Sequence, residues 1–292
     1  MKQFLNKIGG VFISGIIILI VLDLVYTSVY TNPRYPRSKV AWLYSLSENE
    51  SIDYAVFGSS RAHFNLDPKL IKDKTGLRGF NLAFPNSKSF EIKLMVQLFL
   101  EKYHVDEIFI QVDDQYEIVN NDPTAIVPFL PYIKDPIVYE AFSETVEDYY
   151  YLRYLPFYRY MRYDPKLGFR EFMMSFYKKD PSAANSLGYG GASNKVMKKR
   201  DVKYKFHLTD RLNRHLAEVI LLCEEKNVQV YFYTAPIYKA EGNLEVLDKT
   251  LPNYHNFSDN FEEAELFRDP YHLNKAGTAV FTEQFINTYF KS

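Results

Sequence analysis

A chain of 292 residues with 47% hydrophobic and 24% charged residues has the balance of a globular protein able to bury a sizeable core. Its formal net charge of -1 excludes the broad basic surface that phosphate-backbone binding needs, so nucleic acid is not an expected partner. The single cysteine, Cys223, excludes an internal disulfide, and with no CxxC or HExxH pattern neither a metal nor another cofactor is expected.

Residues 8–30 (IGGVFISGIIILIVLDLVYTSVY) carry one charge, Asp23. As a helix they reach roughly 35 Å at about 1.5 Å per residue, enough to cross a hydrocarbon core of roughly 30 Å. Lys2 and Lys7 precede the run, but no small-x-small cleavage site closes it, which favours an uncleaved anchor over a signal peptide or a buried core helix. Asp23 falls about two turns from the far end, where a carboxylate can approach headgroups or face a partner helix. The two lysines favour the amino terminus inside and the body outside, although Arg34, Arg37 and Lys39 dilute the asymmetry. The expected organisation is an anchor at 1–30, a polar linker at 31–49 and one domain at 50–292.

Beyond the linker, short apolar runs alternate with helical patterns, predicting an α/β fold. Strands are expected at Tyr54–Phe57, Arg78–Ala83, Asp106–Val112 and Val228–Thr234. Phe90, Leu94 and Leu98 predict a largely covered helix over 87–103, and Leu212, Leu216, Ile220 and Cys223 predict a one-faced helix over 207–226. Strands separated by helices imply right-handed crossovers and a parallel sheet, with ligands beyond the carboxyl ends of its strands. The segment at about 120–205 breaks the rhythm: it holds Tyr149, Tyr150, Tyr151, Tyr154, Phe157, Tyr158, Tyr160 and Tyr163, then a glycine-containing stretch at 185–194. It reads as an aromatic-rich insertion over the site, its rings either a platform for sugars or the core of a helical subdomain.

The first strand runs into VFGSSRAHFNLDP (56–68), with Ser59 and Ser60 beside a glycine at a strand-to-turn junction. Near the other end, FRDPYHLNKAGTAVFT (267–282) sets Asp269 three residues before His272 on a loop that opens a helix. A carboxylate at that spacing can accept a hydrogen bond from one imidazole N–H, leaving the other nitrogen to accept a serine proton. His63, His104, His207, His215 and His255 have no comparable setting and read as surface or core residues.

The pairing of GSSR (58–61) with DPYHLN (269–274) resembles the SGNH (GDSL-like) hydrolase superfamily, most closely its membrane-anchored branch of DltD-like and alginate-acetylation proteins of bacterial envelopes. The TAPIY run (234–238) is similar to that branch as well. The resemblance implies a three-layer SGNH fold around a parallel sheet and a Ser60, His272, Asp269 triad, with Ser59 the alternative nucleophile. It implies oxyanion donors at the Ser60 amide and at Ala83, in FNLAFPN (80–86). Where the family carries an asparagine donor this chain has Asp113, in QVDD (111–114). A carboxylate there would repel an oxyanion; either Asp113 is protonated, or it faces away, or Asn81 or Asn86 substitutes. Arg61 reads as a substrate-anion ligand or a structural ion pair. The implied function is a membrane-anchored serine esterase or O-acyltransferase on acyl, foremost acetyl, esters of envelope glycans or glycolipids. A transmembrane acyl-donating partner is implied by resemblance alone; the expected location is a bacterial inner membrane, with the domain periplasmic or extracellular. The alternative is a non-catalytic, membrane-tethered glycan-binding or assembly protein that keeps the fold.

Overall fold

The computed structural model describes residues 1–32, 36–177, 186–199 and 203–290. The chain divides into two compact units, Met1–Ser45 with Ile126–Asp180 and Leu46–Ala125 with Pro181–Ser292. The segment expected as a single insertion is therefore shared between them.

The first unit is built on the N-terminal helix Lys2–Thr31, long and apolar enough to cross a membrane. Ile13, Ile17 and Val21 stand exposed along it, whereas Asp23 and Tyr26, towards its C-terminal end, are buried. Their cover comes from Phe157 and from the short helices Tyr158–Arg162 and Phe169–Tyr177. Asp23 Oδ2 accepts from Arg159 Nη2 at 3.0 Å, and its Oδ1 accepts from the Phe157 amide at 3.0 Å. Arg159 also donates to Thr27 Oγ1 at 2.7 Å and to the Leu152 carbonyl at 3.1 Å. The carboxylate of this apolar helix thus faces an arginine of the aromatic segment. The Tyr26 ring stacks on Phe172 at 4.2 Å, and Tyr30 stacks on Tyr160 at 5.8 Å. The tyrosine cluster is mixed: Tyr160 is buried, while Tyr150, Tyr151 and Tyr154 are each more than half exposed.

In the second unit a five-stranded, all-parallel sheet has the order β2-β1-β3-β5-β7, with β1 Tyr54–Phe57, β2 Gly79–Asn81, β3 Glu107–Gln111, β5 Gln229–Thr234 and β7 Tyr254–Asn256. Alternate residues point to opposite faces. Phe57 on one face meets Phe99 of the Ser89–Lys102 helix at 5.6 Å, and Phe109 on the other meets Phe285 of the Lys275–Tyr289 helix at 5.0 Å. The strands β1, β2 and β3 are buried on both faces, which is why this part of the sheet reads as apolar runs. Two further strands, β4 Tyr204–Phe206 and β6 Ala240–Gly242, form a separate parallel pair. The helix expected over 207–226 begins only at Arg214, where Asn213 Oδ1 caps it by accepting from the amides of His215 and Leu216. Leu212 is consequently outside the helix and exposed; the buried stripe is His215, Leu216, Val219 and Cys223.

Candidate active site

The site lies where β1 ends. Gly58 has φ +144°, and a Cβ there would stand 2.7 Å from Gln111 Cβ, so the position requires glycine on both counts. The chain then turns through Ser59 into the short helix Ser60–Asn65, with Ser60 as its first residue. Asn81 holds that helix from beneath: its side-chain amide donates to the carbonyls of Ala62 at 2.8 Å and Leu66 at 3.0 Å. Buried Asn65 links the same helix to the C-terminal loop, its Oδ1 accepting from the Leu273 amide at 3.1 Å.

That loop is a small antiparallel turn of β8 Phe267–Asp269 and β9 His272–Leu273. Asp269 Oδ1 accepts from the amides of Tyr271 at 2.9 Å and His272 at 3.0 Å, so the DxxH spacing folds the carboxylate back under its own histidine. Asn274 caps the following helix through Gly277 N–H and donates to the carbonyl of Glu265. A Cβ at Gly277 would meet the Leu266 carbonyl oxygen at 2.2 Å, which accounts for the glycine. The TAPIY run supports the turn from the end of β5, the Tyr238 amide donating to the Pro270 carbonyl at 3.0 Å.

These elements bring Ser60, His272 and Asp269 into one hydrogen-bonded chain. Ser60 Oγ is 2.8 Å from His272 Nε2, and His272 Nδ1 is 2.9 Å from Asp269 Oδ1 and 3.1 Å from Oδ2. Burial pushes the Asp269 carboxyl up, but the His272 hydrogen bond and charge, the Tyr271 amide and Arg268 outweigh it and hold it at about 2. The Phe64 ring stands edge-on to the imidazole at 5.7 Å, with the Arg268 guanidinium 4.2 Å over its face. An oriented imidazole with one nitrogen on a carboxylate and the other on a hydroxyl can draw the hydroxyl proton.

Ser59 is placed differently: its hydroxyl donates to Gln111 Oε1 at 2.8 Å and its amide to the same oxygen at 3.0 Å.

The expected oxyanion residues are engaged elsewhere. The Ala83 amide donates to Asn81 Oδ1 at 3.2 Å, and both hydrogens of the Asn81 amide are spent on helix carbonyls. Asp113 is fully buried and ion-paired with Arg61 Nε, and it also accepts from Gln111 Nε2. Burial pushes Asp113 above the usual carboxylate range while Arg61 pulls against it. Arg61 Nη2 pairs with Asp114 at 2.7 Å, and Tyr204 hydrogen-bonds Asp114. Arg61 is therefore a structural ion pair carrying two carboxylates, so the cluster bears no excess positive charge for a substrate anion. Asn86 has φ +67° and is exposed, its side-chain amide 3.3 Å from Thr124 Oγ1. It follows Phe84, whose amide donates to the Gly58 carbonyl at 3.3 Å, so this loop runs beside the serine turn.

Asn65 has no signal in the sequence, and Gln111 and Tyr238 stand there only as ends of the QVDD and TAPIY runs, with no role assigned. Each acts through a long-range contact to backbone or to Ser59, for which local spacing holds no signal. Comparison of the chain with the profiles of known protein families and with curated proteins finds no match.

Proposed function

We propose that the chain is a membrane-anchored serine esterase or O-acyltransferase with the three-layer fold and chemistry of the SGNH type. The observation that carries the reading is the chain from Ser60 Oγ through both imidazole nitrogens of His272 to Asp269, at 2.8 Å and 2.9 Å. His272 Nε2 takes the Ser60 proton as Oγ attacks an ester carbonyl, and Asp269 holds the tautomer and the imidazolium that forms. Collapse of the tetrahedral intermediate expels the alcohol, which leaves with the proton from His272, and an acyl group stays on Ser60. Water then releases it as the acid, or a sugar hydroxyl carries it away as a new ester.

The oxyanion falls to the Ser60 amide, in the first turn of its helix, where amides lack intrahelical acceptors. Such a donor is typically worth about 3 kcal/mol. Pairing of Asp113 with Arg61 removes the bare charge that most favoured a non-catalytic, glycan-binding role.

The apolar N-terminal helix supports a membrane anchor; the resemblance to the SGNH branch is what points to a bacterial inner membrane, a catalytic unit outside the cytoplasm, and an envelope glycan or glycolipid carrying acetyl esters as substrate. Hydrolysis of a small aryl acetate by the full-length chain tests the reading. Turnover should be lost in both Ser60→Ala and His272→Ala, and turnover kept by either folded variant would defeat it.

A further inference from the structure

The seven large apolar residues exposed between Tyr150 and Phe176 lie within 27 positions, a density that no other described region outside the N-terminal helix approaches. They are interleaved with charges in which cations predominate: Arg153, Arg162, Lys166 and Arg170 against Asp164 and Glu171, with Glu171 paired to Arg37 and Arg162 3.7 Å from Asp148. Aromatic rings with polar rims, mixed with Lys and Arg, are the composition of a membrane-interface belt rather than of an ordinary wet surface.

What covers this face follows from where it is attached. Counting roughly 20 residues from Ile8 for the hydrocarbon core puts its far boundary near Thr27. The aromatic segment grips the N-terminal helix across that boundary. Arg159 reaches both Asp23 and Thr27, Tyr160 OH is 2.8 Å from Thr27 Oγ1, and Tyr30 OH donates to the Leu167 carbonyl at 3.0 Å. On the same turns Leu24 and Val25 stay exposed at 57% and 44%, so lipid-facing helix and docked segment occupy one level. A segment fixed at that depth has lipid beside it.

We propose that residues 149–177 form an interfacial platform lying in the outer headgroup layer, continuous with the anchor. Tyr150, Tyr151, Tyr154, Met161, Phe169 and Phe176 enter the headgroup and upper acyl region, and the four cations meet lipid phosphates. Phe172 stacked on Tyr26, together with the buried Asp23–Arg159 pair, locks the platform to the span. The platform holds the first unit against the bilayer at more than one point. This inference rests on the N-terminal helix spanning the bilayer and not on the serine chemistry.

The test uses the full chain in nanodiscs of mixed zwitterionic and anionic lipid. Cys223 is fully buried, so single cysteines at Tyr151→Cys, Tyr154→Cys and Phe176→Cys can carry an environment-sensitive fluorophore. Ile17→Cys reports the span. The platform positions should be quenched by headgroup nitroxide lipids and protected from aqueous cobalt, with Ile17 quenched by deep acyl-chain nitroxides. Failure of lipid quenching at Ile17 would overturn the span, and the platform with it. Lipid quenching at Ile17 with cobalt quenching at all three platform sites would overturn the platform alone. So would protection of those sites from both quenchers, which would assign the face to a protein neighbour.

Discussion

Ser59 and Gln111 are joined twice: the Gln111 Oε1 oxygen accepts both the hydroxyl and the amide of Ser59, at 2.8 and 3.0 Å. Two adjacent serines thereby take different tasks. Ser59 fastens the end of β1 to β3, and Ser60 is left to meet His272. Gln111 passes the restraint on through its Nε2 to Asp113, which holds Arg61 in the helix that follows. The serine turn is braced on both sides of Ser60.

Substitutions at the pair should separate sharply. Ser60→Ala is expected to lower turnover by about 10⁴, the scale on which triad members act, with melting nearly unchanged. Ser59→Ala leaves the buried Gln111 oxygen without the hydroxyl donor and should cost about 1 kcal/mol of stability while retaining most turnover. Steady-state kinetics and melting of both proteins check this; the reverse assignment of loss would make Ser59 the nucleophile.

The Asp23–Arg159 pair is buried on both sides, with side-chain exposures of 9% and 1%. Removing one partner strands the other charge, a loss of about 3–5 kcal/mol, whereas replacing both with apolar groups is often close to neutral. Asp23→Leu should therefore expose 126–177 to protease, and Asp23→Leu combined with Arg159→Leu should restore much of the protection. Phe157 adds to the loss, because Asp23 Oδ1 also holds the amide of this residue at φ +63°. Limited proteolysis of the two variants in nanodiscs decides it.

Stability should fall with rising pH through the range of one buried acid. Burial pushes the Glu91 carboxyl up from its ordinary 4.5 to about 7, against the pull of the Lys88 and Asp122 amides that donate to it. Its folded pKa is raised, so the folded chain holds a proton that the unfolded chain releases. The stabilisation is complete below about 4.5 and is lost as pH rises to about 7. Glu91→Gln should lower stability overall, by leaving one amide poorly paired, yet flatten the pH dependence between those values. Melting curves of both proteins across pH 4.5 to 7 read the slope.

Topology gives a separate check. A phosphatase reporter joined after Ser292 should be active, since it folds only outside the cytoplasm, and the chain should resist extraction by carbonate. A cytoplasmically active reporter there would reverse the orientation, and release by carbonate would remove the anchor.

Much of the second unit was legible because β1, β2 and β3 are buried on both faces and so read as apolar runs; β1 was read at Tyr54–Phe57, the limits it has. The fifth strand was not legible. Tyr254–Asn256 is three residues at the sheet edge, with His255 and Asn256 exposed, and it has neither length nor pattern. Within the site, DxxH was readable because its carboxylate closes a local turn on its own histidine. The partners of Ala83 and Asn81 were not legible, because what a backbone amide bonds depends on a side chain folded against it, here that of Asn81. The tyrosine cluster resisted for a similar reason: its spacing states that rings are present, while their burial is decided by Tyr26, Thr27 and Tyr30, more than a hundred residues earlier.

The most direct measurement is the mass of the active-site peptide after treatment of the full chain with a fluorophosphonate. A hydroxyl activated by His272 and Asp269 should form a single covalent adduct, mapped by fragmentation to Ser60. The adduct should be absent in Ser60→Ala and strongly slowed in His272→Ala. Recovery of unmodified Ser60 from folded protein under conditions that label a known serine esterase, or labelling indifferent to His272→Ala, would contradict the serine mechanism.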